Sequence, residues 1–285
     1  MAGIRVVTDS SCDLPQAVAD EHAVTIVPLT IRFGSEELVD RRDLTAAQFW
    51  ERSAASPVLP ETAAPSPGSF EQAFRAAADG GPGSGGGTDG IVCVNISSRL
   101  SATIQSAQAA AQAVADSVPV RVIDSRSVTL GLGLIVLEAC RRAEAGGSLD
   151  EVAAAAEDAA NRVRVLGTLD TLENLKKGGR IGGAQALLGS LLSIKPAIEV
   201  RDGAVEPGPK QRTRSKALRY LVDKVAAEPS ITHLAVMHGA APDLGEFLDL
   251  LAPHFPRDQI TVGDIGPVVG AHTGPRTIGI AYLVP

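Results

Sequence analysis

Short apolar runs, each followed by a polar loop and a helix-length segment, recur through the first half of this chain, and that alternation limits its fold more than anything else in it. Ile4 to Val7 leads into Thr8-Asp9-Ser10-Ser11, with Pro15 placed to open a helix. Val24 to Ile31, Ile91 to Val94 and Val120 to Ile123 read as further strands. Helices are expected over Leu44 to Ser53 with Asp43 near the N-cap, Ser66-Pro67 through Ala78, Ser101 to Ala115, and Val128 to Ala145. Residues 54–68 carry four prolines and read as a loop, and Gly80 to Gly87 as a low-complexity connector. Strands alternating with helices predict a parallel α/β sheet.

The pattern changes after Ser148-Leu149-Asp150-Glu151, a capping box that opens one more helix. Val163 to Gly167 reads as a strand, and Thr171 to Lys177 as a short helix stopped by Gly178-Gly179. Ile198 to Val205 reads as a hairpin about Asp202-Gly203. Strands at His233 to Met237, Gln259 to Val262 and Ile278 to Val284 follow, with helices between. The expectation is two domains, 1–160 parallel α/β and 161–285 α+β, which suits a chain of 285 residues.

Charge and cysteine usage narrow the function. A net charge of -7 argues against nucleic acid and anionic membranes, which need a basic surface. Cys12, Cys93 and Cys140 lie far apart, so neither a zinc nor a redox motif is present. No run reaches ~18 apolar residues and no signal segment opens the chain, so a cytoplasmic protein without membrane insertion is expected. There is no Gly-Lys pair for a phosphate loop, no HExxH, and no GxSxG. GxGxxG occurs at Gly81, Gly83 and Gly86 and again at Gly85, Gly87 and Gly90, but before a strand, where a dinucleotide site needs it after one.

Three polar stretches remain: Glu61 to Ser66, Ser97 to Thr103, and Gly270 to Thr277. The second joins a strand end to a helix start, where free N–H groups and the helix dipole favour an anion. Ser101 there serves either as a ligand hydroxyl or as a plain N-cap. Thr62 sits in the Pro-rich stretch, and Gly270, Gly274 and Pro275 imply a shaped turn around His272.

Six blocks in order resemble the DegV family of bacterial fatty acid-binding proteins. They are Val7 to Leu14, Ser98 to Thr103 with Gln105-Ser106-Ala107, Asp124-Ser125 with Gly131-Leu132-Gly133, Lys176 to Ile181, Ser193 to Pro196, and His272 to Pro275. The resemblance implies a two-domain DegV-like (EDD) fold with a long-chain fatty acid between the domains. It implies a carboxylate site at Thr62, Ser101, Ala102, Thr103, His272 and Thr273, with no metal and no cofactor. The implied role is a monomeric carrier, not an enzyme, that presents the carboxylate to a fatty acid kinase for acyl-phosphate formation in phospholipid synthesis. Lys176, Lys177 and Arg180 are the expected kinase contact, ahead of a second basic cluster at Lys210, Arg212, Arg214 and Lys216. Four positions depart from the family pattern: Ala102 and Arg276 stand for glycines, and Ala63-Ala64 for Ser-Gln. Leu187, Leu188, Leu191 and Leu192 line the acyl tunnel or form plain core. Two other readings stay open: a serine hydrolase with Ser101 as nucleophile, His272 as base and a carboxylate such as Asp9, or a lipid-sensing regulator without a kinase.

Overall fold

The computed structural model describes residues 3–79, 87–188 and 194–285. In chain order the first half holds β1 (Ile4–Asp9), α1 (Gln16–Glu21), β2 (Thr25–Val27), β3 (Thr30–Phe33), β4 (Glu36–Val39), α2 (Ala46–Ala55) and β5 (Glu61–Ala63). It continues with α3 (Pro67–Ala78), β6 (Gly90–Asn95), α4 (Thr103–Ala113), β7 (Val120–Asp124), α5 (Leu130–Glu144) and α6 (Leu149–Arg162). The second half holds β8 (Val163–Thr168), α7 (Glu173–Lys177), β9 (Lys195–Arg201), β10 (Ala204–Gln211) and α8 (Arg214–Ala226). It ends with β11 (His233–His238), α9 (Leu244–Leu251), β12 (Ile260–Asp264), α10 (Pro267–Thr273) and β13 (Ile278–Leu283).

The fold is mixed α/β. A four-stranded sheet in the order β2-β1-β6-β7 is parallel throughout. A six-stranded sheet in the order β10-β9-β8-β13-β11-β12 is antiparallel except for its last pair. A small antiparallel sheet, β4-β3-β5, completes the set. The chain crosses from the parallel sheet to the mixed one at Arg162–Val163.

Helix α5 is the wedge between the two large sheets, in contact with β1 and β6 on one side and β8, β11 and β13 on the other. Its sequence is apolar around most of its circumference, as a helix buried on all sides requires. Glycine makes the approach close enough: a Cβ at Gly131 would lie 2.2 Å from Val165 Cγ2, and one at Gly133 2.9 Å from the Cys12 carbonyl. The main core runs continuously through this helix from one sheet to the other.

Four local expectations are corrected. Val24 to Ile31 is not one strand: Pro28 brings no N–H to a ladder, and β2 and β3 part there into different sheets. The second helix is capped by Thr45 in a capping box with Gln48, while Asp43 accepts from the Val39 N–H at 2.9 Å. The Pro-rich stretch contains strand β5, which pairs with β3 and places Thr62 opposite Ile31. The stretch around His272 is half helix, since α10 runs through Thr273, and Gly270 lies within it. A Cβ at Gly270 would come within 2.8 Å of Phe49 and Trp50, so this glycine serves packing against α2 rather than a turn. Gly80 to Gly86 of the connector, with most of the GxGxxG glycines, and Leu191, Leu192 and Ser193 lie outside the described residues.

Candidate functional site

The parallel sheet reverses its strand order between β1 and β6, and the loops after those strands open a crevice there. Asp9, at the end of β1, is fully buried. Its carboxylate accepts from Ile96 N at 2.8 Å, Asn95 Nδ2 at 3.2 Å, Ser11 N at 3.1 Å and the Ser11 hydroxyl. Burial raises its pKa against the pull of those bonds. The β6 chain then runs outward through Ser97 to Ala102 and over a cavity of about 190 Å³.

That cavity lies between the β6–α4 loop, α10 and the inner face of the mixed sheet. Most of its wall is aliphatic: Leu29, Ile96, Leu100, Val128, Val165, Leu169, Leu175, Ile198, Val200, Met237, Ile265, Val268 and Val269 take part. Polar groups gather at one end, where Thr62, Ser101, Ala102, Arg180, His272 and Thr273 line it. Thr62, Arg180 and His272 also line an outer groove, about 570 Å³, formed with Pro57 to Pro60 and Lys177, so the polar end is the mouth.

The mouth is built from distant pieces. Strand β5 brings Thr62, the last turn of α10 brings His272, and Thr62 Oγ1 lies 3.0 Å from His272 Nε2. His272 Nδ1 is buried without a hydrogen-bond partner among the described residues, as is Thr273 Oγ1. Burial, helped by the nearby Arg180 charge, pushes the His272 pKa down to about 4, so the ring is neutral near pH 7. Arg180 is held by its own bonds to the carbonyls of Leu100 at 3.0 Å and Gly178 at 2.7 Å. The Gly178-Gly179 pair has separate reasons: a Cβ at Gly178 would sit 2.2 Å from His272 Nδ1, and Gly179 has φ +72°. Asn174 Nδ2 donates to the Ala271 carbonyl at 3.3 Å and ties α7 to α10.

On the other side of the mouth, Ser101 is not the N-cap of α4; that position is Ala102, at φ -79°. Alanine therefore takes the backbone there without strain. Ser101 Oγ accepts from Thr103 N at 3.3 Å and lies 2.8 Å from Thr103 Oγ1. Thr103, expected at the carboxylate site, is fully buried, does not line the cavity, and bonds to Ser101. The Ala102 N–H has no partner among the described residues.

The remaining expected residues fall elsewhere. Lys176 and Lys177 are exposed on α7, and Lys177 pairs with Glu173 at 3.6 Å. Arg180, expected from the resemblance as a kinase contact, lines both the cavity and the outer groove. Leu187 is buried in a small core with Leu169, Leu172 and Leu175, and Leu188 is exposed; neither lines the cavity. Arg276 sits at φ +62°, a conformation that favours glycine, and its Nε lies 3.4 Å from Asp170 Oδ2. Sequence reading missed the sheet face that forms the cavity floor: Val165, Gly167, Ile198, Val200, Met237 and Gly279. These strands are buried along most of their length with no alternation, so nothing in their pattern marks which face looks into the cavity.

The family model described as "Uncharacterised protein, DegV family" matches residues 3–284. A DegV domain-containing protein of Streptomyces coelicolor is 37% identical over 284 residues, 97% of each chain. A Thermus thermophilus DegV family structure, described as fatty acid binding, superposes with a TM-score of 0.88 at 33% identity, covering 99% of this chain and 100% of that one. Bacillus subtilis DegV, described as a fatty acid binding protein, gives 0.86 at 27% identity over all of both chains. A stearic acid-binding protein of Eubacterium ventriosum gives 0.85 at 28%, covering 99% of this chain and 98% of that one. The ordered motifs, the two-sheet fold and a match over nearly the whole length agree, and the chain belongs to the DegV family.

Proposed function

We propose that this protein is a cytoplasmic, monomeric carrier of a long-chain fatty acid, which it presents to a fatty acid kinase for conversion to an acyl-phosphate used in phospholipid synthesis. The observation that carries the reading is one cavity with an aliphatic body and a polar, cationic mouth. The acyl chain fills the body, where each buried methylene contributes about 0.8 kcal/mol. The carboxylate sits at the mouth, against Arg180, the Thr62 and Ser101 hydroxyls and the Ala102 N–H, with charge-assisted bonds to Arg180 the strongest of these. Neutral His272 orients Thr62 through Nε2, while its Nδ1 packs against Gly178. On this reading the segments 1–160 and 161–285 act as two bodies that close on the ligand. Lys177 and Arg180 line the outer groove through which the kinase would reach the head group, with Lys176 exposed beside them on α7.

The hydrolase reading has less support. Ser101 Oγ pairs with Thr103 while His272 Nε2 faces Thr62, so nucleophile and base are not joined. Asp9 spends its carboxylate on Ser11, Asn95 and Ile96, and no carboxylate bonds His272 Nδ1 among the described residues.

Native mass spectrometry of the purified protein, with mass analysis of its organic extract, tests the carrier role. One fatty acid per chain is expected. Protein that stays ligand-free after fatty acid is added would sink it. Addition of a fatty acid kinase and ATP to the loaded protein should then yield acyl-phosphate, trapped as the hydroxamate.

A further inference from the structure

The cavity has a second end. Away from the mouth, Val165, Leu166 and Val200 line it on one side and line a separate polar cleft of about 510 Å³, with Arg126, Arg164 and Glu199, on the other. Unlike Thr62, Arg180 and His272 at the mouth, these three are all aliphatic side chains on paired strands, and they stand between the apolar cavity and the polar cleft. Val165 and Val200 are direct cross-strand partners on β8 and β9. The next pair toward the mouth on the same face is Gly167 with Ile198.

Gly167 is the unusual member of this row. Glycine in a buried strand is destabilising relative to alanine, and packing gives no reason for it here. A Cβ at Gly167 would meet nothing nearer than 3.6 Å. Its neighbour Gly279 is different, since a Cβ there would be 2.9 Å from Met237 Sδ. The fold thus needs glycine at 279 and tolerates a side chain at 167, which leaves the open space of the cavity as what Gly167 preserves.

We propose that this strand pair is the gauge of the acyl tail: Gly167 keeps the cavity open midway, and the Val165–Val200 pair closes it against the polar cleft and sets the longest chain that fits. The inference rests on the carrier reading, and the test separates the two. Affinities for decanoate, palmitate and eicosanoate are measured by displacement of a fluorescent fatty acid from wild type, Gly167→Ala, Gly167→Val and Val200→Ala.

Wild type should favour palmitate over decanoate by on the order of 10³, from ~0.8 kcal/mol for each added methylene. Gly167→Val should cut that preference at least about tenfold while decanoate affinity holds. Gly167→Ala should act in the same direction without lowering the melting temperature. Val200→Ala should shift preference the other way, raising eicosanoate over palmitate by up to about fifteenfold for two methylenes newly accommodated. Unchanged ratios in these variants, or a loss of decanoate equal to that of palmitate in both Gly167 variants, overturn the gauge. Wild-type protein that takes up none of the three acids would instead bring down the carrier reading beneath it.

Discussion

Two polar clusters lie near each other in this molecule, and they differ in how their hydrogen bonds close. At the end of β1, Asp9 is fully buried and takes four bonds from Ser11, Asn95 and Ile96, while Asp13 accepts from Thr129 Oγ1 at 2.7 Å and from the Gly266 backbone. At the mouth of the cavity, His272 Nδ1 and Thr273 Oγ1 are buried with no partner among the described residues. Buried polar groups left open cost free energy unless something meets them. The first cluster is framework, holding β1, β6, α5 and α10 in register. The second leaves buried polar atoms unpaired, which suits the proposed ligand site.

The largest effect expected from breaking this contrast is at Asp9. Asp9→Ala strands several buried donors at once and should destabilise the fold by about 3 kcal/mol or more, read as a drop in urea midpoint. If Asp9 were instead the acid of a catalytic triad, the variant would fold normally and lose only turnover.

The clusters should also answer pH in opposite ways. Burial raises the Asp13 pKa to about 8, so the native state holds a proton that the unfolded chain releases. Its contribution to stability is present below about pH 4 and is lost as pH rises toward 8. His272, pushed down to about 4, stays neutral in the free native state while the unfolded chain takes up a proton below about 6.5. Its contribution is present above 6.5 and is lost as pH falls toward 4. Denaturant melts should show Asp13→Asn removing on the order of 2 kcal/mol of alkaline decline between pH 6 and 8, and His272→Gln removing a decline on the acid side only.

Smaller effects belong to the mouth. Thr62→Ala and Ser101→Ala should each leave stability within ~1 kcal/mol and weaken fatty acid binding about tenfold to a hundredfold. Their effects should fall short of adding in the double variant, because both hydroxyls serve one carboxylate. Acyl-phosphate yield should drop further than affinity, since a misplaced oxygen loses its reactive geometry. Full affinity and full coupling in the double variant would move the carboxylate to other loops.

Arg276→Gly should change least. It relieves a left-handed arginine worth ~1 kcal/mol and forfeits a half-exposed ion pair with Asp170 of comparable size. Thermal melts should shift by a degree or two at most, and binding should stay as in wild type.

Much of the fold is legible from local chemistry along the chain. The Ser148 capping box, the Ser66-Pro67 helix start and the Asp202-Gly203 turn each follow from a few neighbouring residues, and all three form where those residues predict them. The ordered family blocks likewise point to Ser101 and His272, while Thr62 follows only from the family resemblance as a whole. Their meeting is not local: Thr62 and His272 are 210 residues apart, and only the packing of α10 against β5 brings them to 3.0 Å. Which buried polar atoms stay unpaired at the mouth, that Arg180 lines the cavity, that Thr103 is buried and bonds to Ser101, and that a glycine on β8 is spare space rather than a packing need were decided by tertiary structure alone. Each is a statement about what occupies the volume around a side chain, and that volume is filled by residues remote in the sequence.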